Sequence, residues 1–299
     1  SSIWANNGFA SPRFLSEAGI FIYFPHFTRY NDRKIMPQEE LLMGRLRIMS
    51  HNVWKNDKNL PAWAAKGEDC SAAVRAKGMV RIYAETQPDI IGFQEMSPTM
   101  ADEILLGLTS QDQRYALLWG RDTPILYRQD RFELLDSDFF LYSTELPGWA
   151  GEFNNSGTKS RCIAMFRDKT DGKKLAFMST HLWWKSSDPA SPDYQPGSDE
   201  ARVYQLNLAM DRLEQFHAQY DCPAVLVGDL NAAYTEPVIR SALARGFAHA
   251  HDIATEYADP DWGYHYCFGD GYKPYEKAPF EQAIDHILVK YAPTDFVRR

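Results

Sequence analysis

The sequence predicts an α/β fold in which mixed β-sheets are stacked in layers with helices. Three observations carry this. Five short apolar runs of strand length each adjoin polar residues, two amphipathic stretches of helical period lie between them, and a hairpin signal interrupts the alternation. At 299 residues the chain is long for an average domain but ordinary for one α/β unit with a large core.

Residues 1–42 are irregular, aromatic and rich in Asn, Ser and Pro, and are expected to form an N-terminal extension ahead of a single domain over 43–299. The apolar run at 19–27 is interrupted by Pro25 and His26 and lacks the basic start and small-residue cleavage site of a secretory signal. Regular patterning begins with Leu46-Arg47-Ile48-Met49-Ser50, a strand leading into His51-Asn52. Over 71–86, Ala72, Ala76, Met79 and Tyr83 fall on one helical face, and Pro88 follows the end. A second strand, Asp89-Ile90-Ile91-Gly92-Phe93, leads into Gln94-Glu95. Shorter strands are expected at 124–128, 132–134 and 161–167, with a hairpin turn at Asp171-Gly172. The strand Leu175-Ala176-Phe177-Met178-Ser179 leads into Thr180-His181. A helix over 199–220, with Val203, Leu206, Met210, Leu213 and Phe216 on one face, joins it to Ala224-Val225-Leu226-Val227-Gly228, so those two strands can be parallel neighbours through a crossover. The latter strand ends in Asp229-Leu230-Asn231. In the last run the order flips: Asp285-His286 precedes Ile287-Leu288-Val289.

That reversal matters. If the fifth strand runs antiparallel to its neighbours, Asn52, Glu95, His181, Asp229, Asn231, Asp285 and His286 meet at one edge of the sheets. The residue types suit phosphate-ester hydrolysis. Mg²⁺ takes oxygen ligands at about 2.1 Å, often one or two carboxylates completed by water and substrate phosphate. Glu95 is the best single ligand; an amide such as Asn231 positions water or a phosphate oxygen without repulsive charge; a histidine accepts a proton or stabilises developing charge. Alone, each has an ordinary reading: Asn52 as a turn residue, Glu95 in a surface ion pair, Asp229 in an Asx-turn, His181 as a structural histidine. Their combination, in this order and at strand ends, is the stronger signal.

Charge and cysteines set limits. A formal net charge of −8 provides no global field toward duplex phosphate, though a local basic groove remains compatible with it. Cys70, Cys162, Cys222 and Cys267 form no C-x-x-C pair, so neither a zinc nor a redox motif is suggested, and two distant bridges stay open. No apolar run approaches the roughly 20 residues of a membrane-spanning helix. A soluble protein is expected, cytoplasmic or exported with its leader removed.

At these residues the chain resembles the endonuclease/exonuclease/phosphatase superfamily, which includes deoxyribonuclease I, apurinic endonucleases, neutral sphingomyelinases, inositol polyphosphate 5-phosphatases and deadenylases. The matching strings are Ser50-His51-Asn52-Val53-Trp54, Gly92-Phe93-Gln94-Glu95-Met96, Ser179-Thr180-His181-Leu182, Gly228-Asp229-Leu230-Asn231-Ala232 and Ile284-Asp285-His286-Ile287-Leu288-Val289, with weaker support at 125–128 and 130–135. The resemblance implies a deoxyribonuclease I-like four-layered sandwich: two packed mixed β-sheets flanked by helices. It also implies Mg²⁺, with Mn²⁺ as a substitute, held by Glu95 with Asn52 close by and Asp285 beside it. By the same resemblance, Asp229 orients or deprotonates the attacking water, Asn231 helps hold it and the phosphate, His181 contacts phosphate, and His286 contacts the scissile phosphate as general base or electrostatic stabiliser. Asp252 resembles the aspartate that orients the terminal histidine, and Arg161 an arginine that approaches phosphate, although a surface ion pair suits Arg161 equally.

Specificity signals are less sharp. Trp183 and Trp184 follow His181 where several subfamilies carry a polar residue, and they could line an apolar rim for a lipid. The stretch 262–275 holds six aromatic residues around His265 and reads as partly buried loop or as a stacking platform for a sugar or base. His249 and His251 read as exposed loop histidines rather than a metal pair. The expected substrate is a phosphorylated small molecule or lipid; the alternative is single-stranded nucleic acid, attacked by an exonuclease or deadenylase-like enzyme. A catalytically inactive binding protein on the same fold is the alternative of another class. No protein partner is indicated.

Overall fold

The computed structural model describes residues 20–24, 46–54, 65, 67, 69, 71–254 and 280–291. The described elements are, in chain order, β1 (Ile20–Phe24), β2 (Leu46–Asn52), α1 (Ala72–Thr86), β3 (Ile90–Gln94), α2 (Pro98–Ser110), β4 (Tyr115–Leu118), β5 (Ile125–Arg128), β6 (Phe132–Leu141), β7 (Ser160–Asp168), β8 (Lys174–His181), α3 (Ser198–Tyr220), β9 (Ala224–Asp229), α4 (Pro237–Ala244), β10 (Ala248–His249), the short α5 (Ala250–Ile253) and β11 (Asp285–Lys290). Among these residues the strands make two mixed sheets, ordered β1-β2-β3-β5-β4 and β10-β11-β9-β8-β7-β6.

Alternation along each strand builds the layers. Ile48, Ile90 and Ile125 of the first sheet meet Phe177, Val225, Val227, Ile287 and Val289 of the second in one core between the sheets. Met49, Ile91, Phe93 and Leu126 face the other way and pack under α1 and α2. Met178, Leu226 and Leu288 likewise face α3 and α4. The result is helices, sheet, sheet, helices, the four layers that the family resemblance implies. Gly92 sets how close the sheets come, because a Cβ there would lie 2.3 Å from Val227 Cγ2 and 3.0 Å from Ser179 Cβ.

Strand directions also follow expectation. β8 and β9 are parallel, with α3 as the crossover, and β11 is antiparallel to β9. Gly172, at φ 75°, turns β7 into antiparallel β8. Other features were not singled out in the sequence. β1 lies within the segment expected to be irregular and pairs antiparallel with β2; its run of β-branched and aromatic residues favours a strand. β6 continues beyond 134 to Leu141 across a register shift at Leu134/Asp136. α2 and α4 both begin with proline in the first turn, and the Ser97 side chain caps α2 by accepting the Met100 N–H at 3.2 Å. Cys162 and Cys222 are buried free thiols, and Cys70 and Cys267 lie outside the described residues.

Candidate active site

Register brings part of the sequence-predicted set to one edge. His181 is level with Asp229 across the parallel pair, and Asp285 is level with Asp229 across the antiparallel pair. From the other sheet, Asn52 Nδ2 donates to Asp229 Oδ2 at 3.0 Å and to Glu95 Oε1 at 3.4 Å, so one amide ties the two sheets together. Its orientation is fixed because Asn52 Oδ1 accepts the Trp54 N–H at 2.9 Å. Arg75 donates to the carbonyls of Val53 and Trp54 and pins that turn from α1. Beneath the edge, Gln94 Nε2 donates to Ser179 Oγ at 3.1 Å and Ser179 Oγ donates to Phe93 O at 2.7 Å, a buried polar bridge between the sheets.

Two of these residues adopt the left-handed backbone region: Glu95 at φ 56° and Asn231 at φ 49°. Non-glycine residues hold such angles where the surroundings over-determine them, often at functional sites. For Asn231 the determinants are visible. Its N–H donates to Asp229 Oδ1 at 2.8 Å and its Nδ2 donates to Leu182 O at 3.0 Å. Gly228 permits the approach to β8, since a Cβ there would lie 2.0 Å from Thr180 O.

His181 stands between partners that the sequence reading did not identify. Its Nδ1 lies 2.6 Å from Asp122 Oδ2, its Nε2 lies 2.5 Å from Lys159 Nζ, and Asp229 Oδ2 is 3.8 Å from the same Nε2. Asp122 accepts the Nδ1–H, so Nε2 carries the lone pair that accepts from the Lys159 ammonium. His181, Asp122 and Lys159 are all buried. Asn154 holds Lys159 by its backbone, accepting its N–H at 2.8 Å and donating to its carbonyl at 2.9 Å.

His286 is placed differently. It is level with Gly228 rather than Asp229, which by alternation turns it to the helix side of the sheet. It is fully buried, with Nδ1 3.0 Å from His249 Nε2 and Nε2 2.8 Å from Ala232 O. Burial pushes its pKa down to about 4 and that of His249 down to about 3. His249 is therefore a core residue, not an exposed loop one.

Other expected site residues lie apart. Asp252 accepts the Tyr234 hydroxyl at 2.7 and 2.8 Å, while the contact to His286 comes from His249. Arg161 is level with Thr180, not His181, and pairs with Asp138 at 3.3 Å across the ring of Phe140. Trp183 has no exposed surface; it packs with Leu146, Phe153 and Ala201, so it cannot form a rim, and only Trp184 of the pair reaches solvent. His265 and the aromatic stretch 262–275 lie outside the described residues.

The donor set fits a hard divalent cation. Among the described residues no group of three or more His, Cys, Asp or Glu could by itself cage a metal. Mg²⁺ does not need one, because it retains waters and takes one or two carboxylates. Here the Glu95 and Asp229 carboxylates converge on a single amide N–H group, a place where positive charge is favoured.

The fold is shared with known proteins. None of the curated proteins compared matches the chain. Among solved structures, an endonuclease/exonuclease/phosphatase family protein from Bacteroides thetaiotaomicron is similar at 20% identity and TM-score 0.64, covering 83% of each chain. A mannosyl-6-phosphatase from the same organism is similar at 19% identity and TM-score 0.62, covering 83% of this chain and 86% of its own. D. rerio TDP2, solved with a single-strand DNA product, is similar at 20% identity and TM-score 0.57, covering 84% and 86%. These likenesses show the fold. The model of the Endonuclease/Exonuclease/phosphatase family matches residues 49–297, most of the chain, and the protein belongs to that family.

Proposed function

We propose that the protein is a metal-dependent phosphoric ester hydrolase acting on a small phosphorylated molecule. The observation that carries this reading is the convergence of Asn52, Glu95, Asp229 and the Asp122–His181–Lys159 array at one edge of the two sheets. The net charge of −8 supports a small substrate over duplex nucleic acid.

Each residue has a part in the chemistry. Glu95 would hold the Mg²⁺ or Mn²⁺, with Asp285 nearby, while Asn52 turns its amide N–H to the Glu95 and Asp229 carboxylates and so keeps them in place. When bound, the cation neutralises phosphate charge and polarises the P–O bond. Asp229, held by the Asn52 amide and the Asn231 N–H, accepts the proton of the attacking water. Asn231 fixes the turn that aims this carboxylate. His181, its tautomer set by Asp122, presents Nε2 to the site. Lys159 gives up His181 for a non-bridging phosphate oxygen and stabilises the charge that develops there.

The test is hydrolysis of chromogenic phosphomonoesters and phosphodiesters by the purified protein with Mg²⁺, Mn²⁺ or EDTA, alongside sugar phosphates, inositol phosphates, sphingomyelin and single-stranded oligonucleotides. Turnover that requires the metal and is lost in Glu95→Ala supports the reading. No turnover on any substrate, with no Mg²⁺ binding at millimolar concentration, would make it a binding protein on this fold.

A further inference from the structure

Buried behind the Asp229–Ala232 turn, the side chains of His249 and His286 are hydrogen-bonded in series between the backbone N–H of His251 and the carbonyl of Ala232. His286 Nε2 lies 2.8 Å from the carbonyl oxygen of Ala232 and must carry a proton, because a carbonyl only accepts. At the other end, His249 Nδ1 accepts the backbone N–H of His251 at 3.2 Å, so that nitrogen has the lone pair and His249 Nε2 has the hydrogen. The remaining contact, His249 Nε2 to His286 Nδ1 at 3.0 Å, then runs from His249 as donor to His286 as acceptor. Two protons facing each other there would leave a buried donor without an acceptor, which costs about 1–3 kcal/mol.

We infer that His249 is a positioning residue that locks His286 as the Nε2–H tautomer, making it a neutral hydrogen-bond donor rather than a base. A carboxylate in place of His249 would accept from Nδ1 while the Ala232 carbonyl still takes the Nε2 proton, and so would favour the doubly protonated ring. His181, whose Nδ1–H goes to Asp122 and whose Nε2 meets the Lys159 ammonium rather than a carbonyl, is the Nδ1–H tautomer. The edge thus combines one imidazole of each kind, and the proton on His286 holds the carbonyl of Ala232, next to Asn231, in the turn that aims Asp229. Tyr234 keeps His249 in place, its ring edge-on at 5.0 Å and its hydroxyl anchored on Asp252.

The test has two arms. Long-range proton–nitrogen NMR of protein labelled at histidine reads the tautomers directly and does not depend on the hydrolase reading. The expected spectrum has His286 and His249 protonated at Nε2 and His181 at Nδ1, with His286 becoming protonated at both nitrogens in His249→Asp. The kinetic arm rests on that reading: His249→Ala lowers kcat about 10-fold with KM little changed, and His249→Gln, which keeps a donor, restores it. A wild-type His286 protonated at Nδ1, or a His249→Ala protein that keeps both the single tautomer and the wild-type kcat, would overturn the inference. If wild-type protein turns over no substrate, the hydrolase reading fails while the spectrum still decides the tautomer.

Discussion

His181 and His286 flank the same strand, β9, and each follows from a short polar motif at a strand end, yet their surroundings differ. His181 is level with Asp229 and opens on Lys159 and Asp229, with a carboxylate behind it. His286 is level with Gly228, has an imidazole behind it and a carbonyl in front, and is sealed from solvent. One residue of register separates the two outcomes, because side chains alternate faces along a strand. The comparison teaches that a histidine's part in this site depends on what its second nitrogen touches, which no motif string records.

The largest expected difference is in turnover. His181→Ala and Asp229→Asn should each lower kcat by about 10²–10⁴-fold, the range of a lost general acid–base group, with the circular dichroism spectrum unchanged. Asp122→Asn tests the carboxylate behind His181; misorienting the ring should cost about 10²-fold in kcat. If Asp122→Asn is silent while His181→Ala is not, the tautomer set by Asp122 is irrelevant to the chemistry.

On the His286 side the larger effect should be on stability. Unfolded, each imidazole takes up a proton near pH 6.5; folded, His286 resists until about pH 4 and His249 until about pH 3. The unfolded chain therefore binds more protons in that window. Stability is full above about pH 6.5 and falls with pH through it, by on the order of 3 kcal/mol for His286 alone. Urea unfolding between pH 7 and pH 4 reads this, and His286→Gln should reduce the slope by about one proton. An unchanged slope would mean that His286 is not the buried neutral group described.

Gly228→Ala sharpens the comparison at the strand between the two histidines. Its Cβ would collide with Thr180 O, so stability should fall by about 1–3 kcal/mol, read as a lower melting temperature. At the small end, Arg167→Ala removes an exposed pair with Glu133, and the change should stay below about 1 kcal/mol.

Much of this was legible in the sequence. The polar groups at the ends of β2, β3, β8 and β9, and at the start of β11, could be gathered on paper because an antiparallel strand presents its first residues where a parallel one presents its last. The same rule, carried further, would have reached Asp122 and Lys159. Asp122 stands just before β5 and Lys159 just before β7, and both strands run antiparallel to a neighbour that ends in the site. What pattern could not supply was the face. Arg161 and Lys159 are two residues apart and near the same strand start, but only Lys159 reaches His181. Trp183 and Trp184 are adjacent and apolar, and only the packing against Phe153 decides which is buried. Asp252 and His249 lie three residues apart, in α5 and at the end of β10, and a sequence shows no reason for a histidine to take the contact to His286 that a carboxylate was expected to make.

The most direct test of the account is the steady-state hydrolysis of the best phosphate ester by wild-type, Glu95→Ala and Asp229→Asn proteins, each with Mg²⁺ and with EDTA. The account predicts metal-dependent turnover in the wild type and a loss of about 10²-fold or more in both variants with unchanged melting temperatures. Wild-type turnover that survives EDTA and both substitutions would contradict it.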